Sequence, residues 1–142
     1  RQGTIKSSIA LGTLLAEGIG DTMRVSLTAD PIEEVPVAWG ILSALGLRRR
    51  GPEMISCPTC ARCQVNLIDI ASEDERRLSS CAKPVSVAVM GCAVNGPGEA
   101  SDADVGVACG KGCALLFKQG EIIRKIPEDA IVDELLNEIS KL

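Results

Sequence analysis

The sequence predicts an α/β fold built in two parts. Residues 1–47 read as helix, strand and helix with short joints, the grammar of a parallel α/β domain. Residues 53–142 read as short strands interleaved with helices, ending in a hairpin and an amphipathic helix, which is the pattern of a small α+β domain. Between them Arg48-Arg49-Arg50-Gly51-Pro52 combines a charge run with two chain breakers, so residues 48–52 are expected to be a linker.

Taken in order, Ile5, Ile9, Leu11, Leu14, Leu15 and Ile19 recur at helical spacing and run into Gly18 and Gly20, a helix with a glycine-rich end. Thr22 to Leu27 alternates around β-branched residues and predicts a short strand. Asp30-Pro31 supplies an N-cap and a proline at the first helical position, and Glu33 and Glu34 suit the positive end of a helix dipole. That helix should run to about Leu45 and stop at Gly46. Pro36 removes a backbone donor, which would delay its proper start to near Pro36. A single such unit closes neither a barrel nor a doubly wound sheet, so this part is expected to be the end of a larger domain. The absence of an initiating Met points the same way.

Beyond the linker, Met54-Ile55 predicts a short strand and Val65 to about Cys81 a helix, apolar first and then charged and exposed from Glu73 to Arg77. Val85 to Met90 is continuously apolar, as a strand buried on both faces would be. Val105 to Ala108 is a further strand. Ala114–Phe117 and Ile122–Arg124 flank Gln119-Gly120, a hairpin signal. Pro127-Glu128-Asp129 opens a last helix with Ile131, Val132, Leu135, Leu136 and Ile139 on one face, a core stripe.

Composition closes off several classes of function. Trp39 and Phe117 are the only aromatic residues, and the net charge is −4, so neither base stacking nor general attraction recommends nucleic acid as a partner. No apolar run approaches the roughly 18 residues of a membrane span, and no signal peptide is visible. Histidine is absent, which removes Cys/His zinc fingers, Rieske centres and His-based triads. Cysteines 57, 60, 63, 81, 92, 109 and 113 are odd in number and sit in an ordinary α/β pattern, which favours metal binding over a disulfide framework.

The thiols allow more than one centre. A zinc site from Cys57, Cys60, Cys109 and Cys113 has the right ligand number, but its second pair is spaced by three residues and it leaves the Cys92 loop without a reason. Cys57, Cys60 and Cys63 form C-x2-C-x2-C, a ferredoxin-like spacing, which does not choose between Cys63 and Cys92 as third ligand of an iron–sulfur cluster. The loop after Cys92 favours Cys92. In Asn95-Gly96-Pro97-Gly98 the glycines let backbone N–H groups approach a negative cluster, and Glu99 follows as a hard, exchangeable ligand. Three thiolates and one carboxylate would leave one iron open to substrate, as an enzyme requires. On local pattern alone Glu99 would be an exposed acid, Arg24 a surface residue, Arg48–Arg50 a solvated run, and Lys111 part of a flexible glycine turn.

SCPTC at 56–60, VMGCAVNGPGEA at 89–100, DADVGVACGKG at 102–112, LFKQGEIIRK at 116–125 and LLAEGIGDTMRVSLTADPIEEV upstream resemble the C-terminal part of the 4-hydroxy-3-methylbut-2-enyl diphosphate synthase family. The resemblance covers essentially the whole chain. It implies a TIM-type barrel whose last helix, strand and helix are residues 1–47, and a cluster domain at 53–142 similar to the iron–sulfur domains of sulfite and nitrite reductases. It implies one [4Fe–4S] cluster on Cys57, Cys60, Cys92 and Glu99, with Glu99 freeing its iron during catalysis and Asn95, Gly96 and Gly98 beside the cluster. Arg24 and Ser26 match the strand whose side chains hold the substrate diphosphate, a role suited to a guanidinium fork and a hydroxyl.

The activity so implied is the two-electron reductive ring opening and dehydroxylation of 2-C-methyl-D-erythritol 2,4-cyclodiphosphate in isoprenoid biosynthesis, with flavodoxin or ferredoxin as electron donor. The family implies a homodimer, a bacterial cytoplasmic or plastid location, and no nucleic acid or membrane partner. Most of its substrate site would lie upstream of Arg1, so these residues alone are expected to hold a cluster without turnover. Cys63, Cys109 and Cys113 depart from the family pattern, as does Pro36, and Cys63 is a competitor of Glu99 for the fourth iron. Cys81 is expected to be a packing residue at a helix end. A plain electron carrier on Cys57, Cys60, Cys63 and Cys92, and a zinc-stabilised interaction domain, are the competing classes.

Overall fold

The computed structural model describes residues 2–79 and 81–142, and the chain divides into two compact units, Arg1–Arg50 and Gly51–Leu142. In the first, α1 (Gln2–Ala16) ends where Gly18 and Gly20 take φ of 75° and 103°. The segment from Thr22 to Leu27 is extended but is not a strand. Alternation does its part, burying Val25 and exposing Arg24 and Ser26. A strand, however, exists by pairing, and no second strand lies in this unit among the described residues. The Asp30 carboxylate accepts from the Ile32 N–H at 3.0 Å and caps a 3-10 turn, Pro31–Glu33, that leads into α2 (Glu34–Ala44). Pro36 does not delay that helix. It falls in the first turn, where backbone N–H groups lack intrahelical partners in any case. Glu34 accepts from the Leu27 N–H at 2.8 Å, tying the extended segment to α2. The arginine run is not simply solvated: the Arg48 and Arg50 guanidiniums lie 5.3 and 5.6 Å from the Trp39 ring centroid.

The second unit is a five-stranded sheet in sequential order, β1 (Glu53–Ser56), β2 (Ser86–Met90), β3 (Val105–Gly110), β4 (Cys113–Lys118) and β5 (Glu121–Pro127). The first three strands are parallel and the last two turn back antiparallel. The crossover from β1 to β2 carries α3 (Leu67–Leu78), and that from β2 to β3 a single turn, α4 (Gly96–Glu99). The β4–β5 hairpin closes at Gln119-Gly120 with φ of 49° and 79°, and α5 (Ile131–Ser140) follows a second 3-10 turn.

Strand alternation assigns the two faces. Val87, Val89, Val105, Val107 and Cys109 join Leu67, Leu78, Ile131, Leu135 and Ile139 of α3 and α5 in one core, whereas Ala88, Met90 and Ala108 join Ala100, Ala103 and Phe117 in the other. β2 is buried along its whole length, as its unbroken apolar run requires. Gly106 makes room for Phe117: a Cβ there would lie 2.4 Å from its ring and 2.7 Å from the Ala88 Cβ. At the start of the parallel pair, Asp104 accepts from the Ser86 N–H at 2.8 Å and hydroxyl at 2.9 Å, while the Ser86 hydroxyl accepts from the Asp104 N–H at 2.9 Å. Cys81 packs against the core just past α3, its N–H bonded to the Leu78 carbonyl. Among the described residues no helix is long and apolar enough to cross a membrane.

Candidate metal centre

Parallel strands deliver their loops to a common edge, the carboxyl ends, where open α/β sheets bind ligands. Here β1 pairs with β2 through Ser56 and Val89, and β2 with β3 through Met90 and Ala108. Cys57 therefore leaves the end of β1 beside Gly91 and Cys92 leaving the end of β2, with Cys109 and Gly110 closing β3. The Gly91 N–H donates to the Cys57 sulfur at 3.2 Å, joining the two thiol loops directly. The Cys63 sulfur lies on the same glycine, 2.8 Å from where a Cβ on Gly91 would stand. The Cys63 N–H bonds the Cys60 carbonyl at 2.9 Å, so Cys60 and Cys63 share one tight turn. Gln64 completes the frame by accepting from the Lys111 N–H of the β3–β4 turn at 3.2 Å. Lys111 is thus pinned through its backbone rather than free on a flexible glycine turn.

An open pocket of about 510 Å³ lies among these loops, bordered by Ala61, Arg62, Gln64, Cys92, Val94 and Gly110. Cys57 is half-buried, Cys60 exposed and Cys92 half-buried, an exposure gradient that keeps the centre at the surface. Cys109 is different. It is wholly buried, and burial, reinforced by the neighbouring Cys63 thiol and more distant acids, pushes its pKa up to about 12, so it remains a protonated core residue.

The Asn95–Gly98 loop is a short helical turn rather than an irregular one, with the Glu99 N–H bonded to the Asn95 carbonyl at 2.8 Å. Gly96 is buried, and a Cβ on it would lie 2.8 Å from Ala108 and 2.9 Å from Met90, so its smallness seats the turn on the sheet. Gly98 has open space around it. Glu99 is exposed at the end of the turn, its carboxylate accepting from the Asn95 amide at 3.3 Å. In the first unit, Arg24 and Ser26 are both exposed on the extended segment, and Arg24, though not Ser26, borders a groove of about 260 Å³ with Glu34 and Trp39.

Among the described residues no three Cys, Asp or Glu side chains converge tightly enough to hold one metal ion. A single zinc ion demands such convergence, whereas an iron–sulfur cluster takes each thiolate on a separate iron and so accepts a wider set. Thiols on adjoining strand ends, with a backbone N–H already directed at sulfur, fit the second kind of group. Reasoning from spacing missed Gly91 and Gln64. The signal for Gly91 was a glycine placed between a buried strand and a candidate ligand.

A family model described as the GcpE protein C-terminal domain matches residues 53–141, and one described as the GcpE TIM-barrel domain matches residues 1–39. Relatives named 4-hydroxy-3-methylbut-2-en-1-yl diphosphate synthase (flavodoxin) are similar along nearly the whole chain. The one from Geobacter sulfurreducens is 59% identical over 140 residues, covering 99% of this chain and 40% of its own length. The one from Clostridium perfringens is 60% identical over 141 residues, with the same 99% and 40% coverage. A Dehalococcoides mccartyi relative is 56% identical over 142 residues, covering 100% and 41%. The chain thus spans about 40% of the length of the curated relatives it matches. On the match across its sheet domain, supported at this identity along its length, the chain belongs to the GcpE family.

Proposed function

We propose that these residues form the C-terminal part of a flavodoxin- or ferredoxin-dependent 4-hydroxy-3-methylbut-2-en-1-yl diphosphate synthase. It would open and dehydroxylate 2-C-methyl-D-erythritol 2,4-cyclodiphosphate by two-electron reduction in isoprenoid biosynthesis. The observation that carries this reading is the meeting of the Cys57 and Cys92 loops at Gly91, in a chain so similar to synthases of that name. On this reading residues 1–47 are the last helix, extended segment and helix of a TIM-type barrel and 48–52 a linker. Residues 53–142 are then a cluster domain of the sulfite- and nitrite-reductase kind, and the enzyme is a homodimer of the bacterial cytoplasm or plastid.

Cys57, Cys60 and Cys92 would hold one [4Fe–4S] cluster through three irons and Glu99 the fourth. Such a cluster, when bound, supplies electrons and a Lewis-acidic iron. The chain's own residues do the rest. The Gly91 N–H withdraws charge from the Cys57 sulfur, favouring the reduced state. Glu99, exposed and held by a long bond from Asn95, would be an exchangeable ligand for that fourth iron. Arg24 would grip the diphosphate through its planar fork, with the Ser26 hydroxyl beside it. Gly96 fixes the Cys92 loop to the sheet so that the ligand keeps its place.

Anaerobic reconstitution with iron and sulfide, read by Mössbauer spectroscopy, tests the reading. The protein should take up about four irons, one of them distinct, and Glu99→Cys should make them equivalent. Cys92→Ser should lose the cluster. Four equivalent irons in the unaltered protein would instead indicate an all-thiolate electron carrier.

A further inference from the structure

We infer that Cys63 is a reserve thiolate for the iron assigned to Glu99, so that the fourth position can pass between carboxylate and thiolate. The inference rests on the iron–sulfur reading above. It starts from a convergence that spacing does not predict. One residue, Gly91, donates its N–H to the Cys57 sulfur at 3.2 Å and has the Cys63 sulfur packed against its α-carbon, and it is bonded directly to Cys92. Cys60 joins the same corner through the turn that bonds the Cys63 N–H to its carbonyl. Four thiols thus share one edge of the sheet, while Cys109 stays in the core and α4 carries Glu99 at an exposed position.

Cys63 is able to move. Its thiol donates to the Val65 carbonyl at 3.3 Å, a weak bond, and it sits in the irregular stretch between β1 and α3. Turning the thiol away would forfeit that bond and its packing against Gly91, neither of which belongs to the strand ladder. Thiolate is the softer ligand and is preferred by iron in such clusters, so an unoccupied position would draw it. The exchange moves no electrons. In it the Cys63 thiol would give up its proton to the departing Glu99 carboxylate or to water and take that carboxylate's place as ligand. The all-thiolate state would arise only where Glu99 is withdrawn and no substrate oxygen has taken its place; otherwise the substrate-free protein keeps Glu99 on that iron.

The test reconstitutes the protein anaerobically and measures iron, acid-labile sulfide and Mössbauer spectra in Glu99→Ala, Cys63→Ser and Glu99→Ala/Cys63→Ser. Glu99→Ala should retain about four irons in equivalent all-thiolate sites, and Cys63→Ser alone should keep the unaltered pattern. The double variant should lose at least about a quarter of its iron. Cys63→Ala runs in parallel with Cys63→Ser, and far-UV circular dichroism identifies any variant that has lost its fold, leaving the other to decide. Equal iron and identical spectra in Glu99→Ala and the double variant would overturn the role of Cys63 and leave the cluster reading intact. Iron uptake that is indifferent to Cys57→Ser and Cys92→Ser would overturn both.

Discussion

The two units bury their apolar side chains to very different degrees within the described residues. In Gly51–Leu142 the sheet presents two apolar faces and covers both, with Val87, Val89, Val105, Val107, Leu116, Phe117 and Leu135 wholly inside. Among the described residues of Arg1–Arg50 only Val25 and Ile41 are buried, and Ile5, Ile9, Leu14, Ile32 and Val35 remain exposed, Ile9 at 66% and Ile32 at 71%. The two stretches look equally apolar as sequence. What separates them is closure: residues 1–39 match only part of a TIM-barrel domain, so within these residues the helix pair and extended segment lack a second layer, whereas the sheet has its helices. Hydrophobic content therefore does not measure independent stability; the number of faces that find a partner does.

The largest expected effect follows directly. Residues 51–142 expressed alone should melt cooperatively, while residues 1–50 alone should show no cooperative transition. Circular dichroism follows the first and Trp39 fluorescence, confined to the second, follows the other. A sharp Trp39 transition in the short piece would break the comparison.

Glycine substitutions sharpen it. Gly106→Ala places a methyl 2.4 Å from Phe117 and should destabilise the sheet domain by about 2–3 kcal/mol. Gly12→Ala, inside α1 with nothing within 4 Å, should be neutral or stabilising by up to about 1 kcal/mol. Denaturant midpoints for the pair measure how much more the closed core resents added volume.

Asp74 shows that even the closed core has a flaw. It sits in the apolar stripe of α3 between Leu67 and Leu78, fully buried, with neither carboxylate oxygen hydrogen-bonded, while nearby Arg77 is engaged by Asp133 at 2.6 Å. Burial raises its pKa from 3.8 to about 6, against the pull of Arg77 and aided by Glu73. The folded state then binds the proton more tightly than the unfolded one. Its stabilising contribution is complete below 3.8 and is lost as pH rises through about 6. The loss should be on the order of 3 kcal/mol, and Asp74→Asn should flatten it. Urea midpoints at acid and neutral pH decide; a slope unchanged by the substitution would assign the pH dependence elsewhere.

The smallest effect belongs to the first unit. Arg48→Ala should change stability by about 0.5–1 kcal/mol, through the lost cation–π contact with Trp39, with a shift in Trp39 emission as the marker.

Much of the sheet domain was legible because its signals are local. The Gln119-Gly120 turn, the apolar run from Val85 and the Ile131–Ile139 stripe each fit within a short window and became β4–β5, β2 and α5. Thr22–Leu27 misled because alternation encodes facing and not pairing. The Asn95–Gly98 stretch hid a helical turn behind glycines and proline, residues that ordinarily break one. Asp74 was passed over as part of a charged surface, although its position four residues from both Ile70 and Leu78 put it on the inward face. The approach of Cys63 and Gly91 joins residues from two crossovers, so no local pattern carried it.

The reciprocal bonds between Ser86 and Asp104 bear on how the sheet finds its alignment. Sliding β3 by one residue along β2 would turn Val105, Val107 and Cys109 toward the opposite face and carry the β3–β4 turn away from Gln64. The slip would also set a valine where Gly106 meets Ala88 and Phe117, and the strand ends add a polar check to that steric one. Asp104 meets both donors of Ser86, and receives its own N–H partner in return, in a single alignment. A misaligned pairing would strand a carboxylate and a hydroxyl together, so the folding chain discards it, and the thiol loops at the far end of the strands inherit an alignment proofread at the near one.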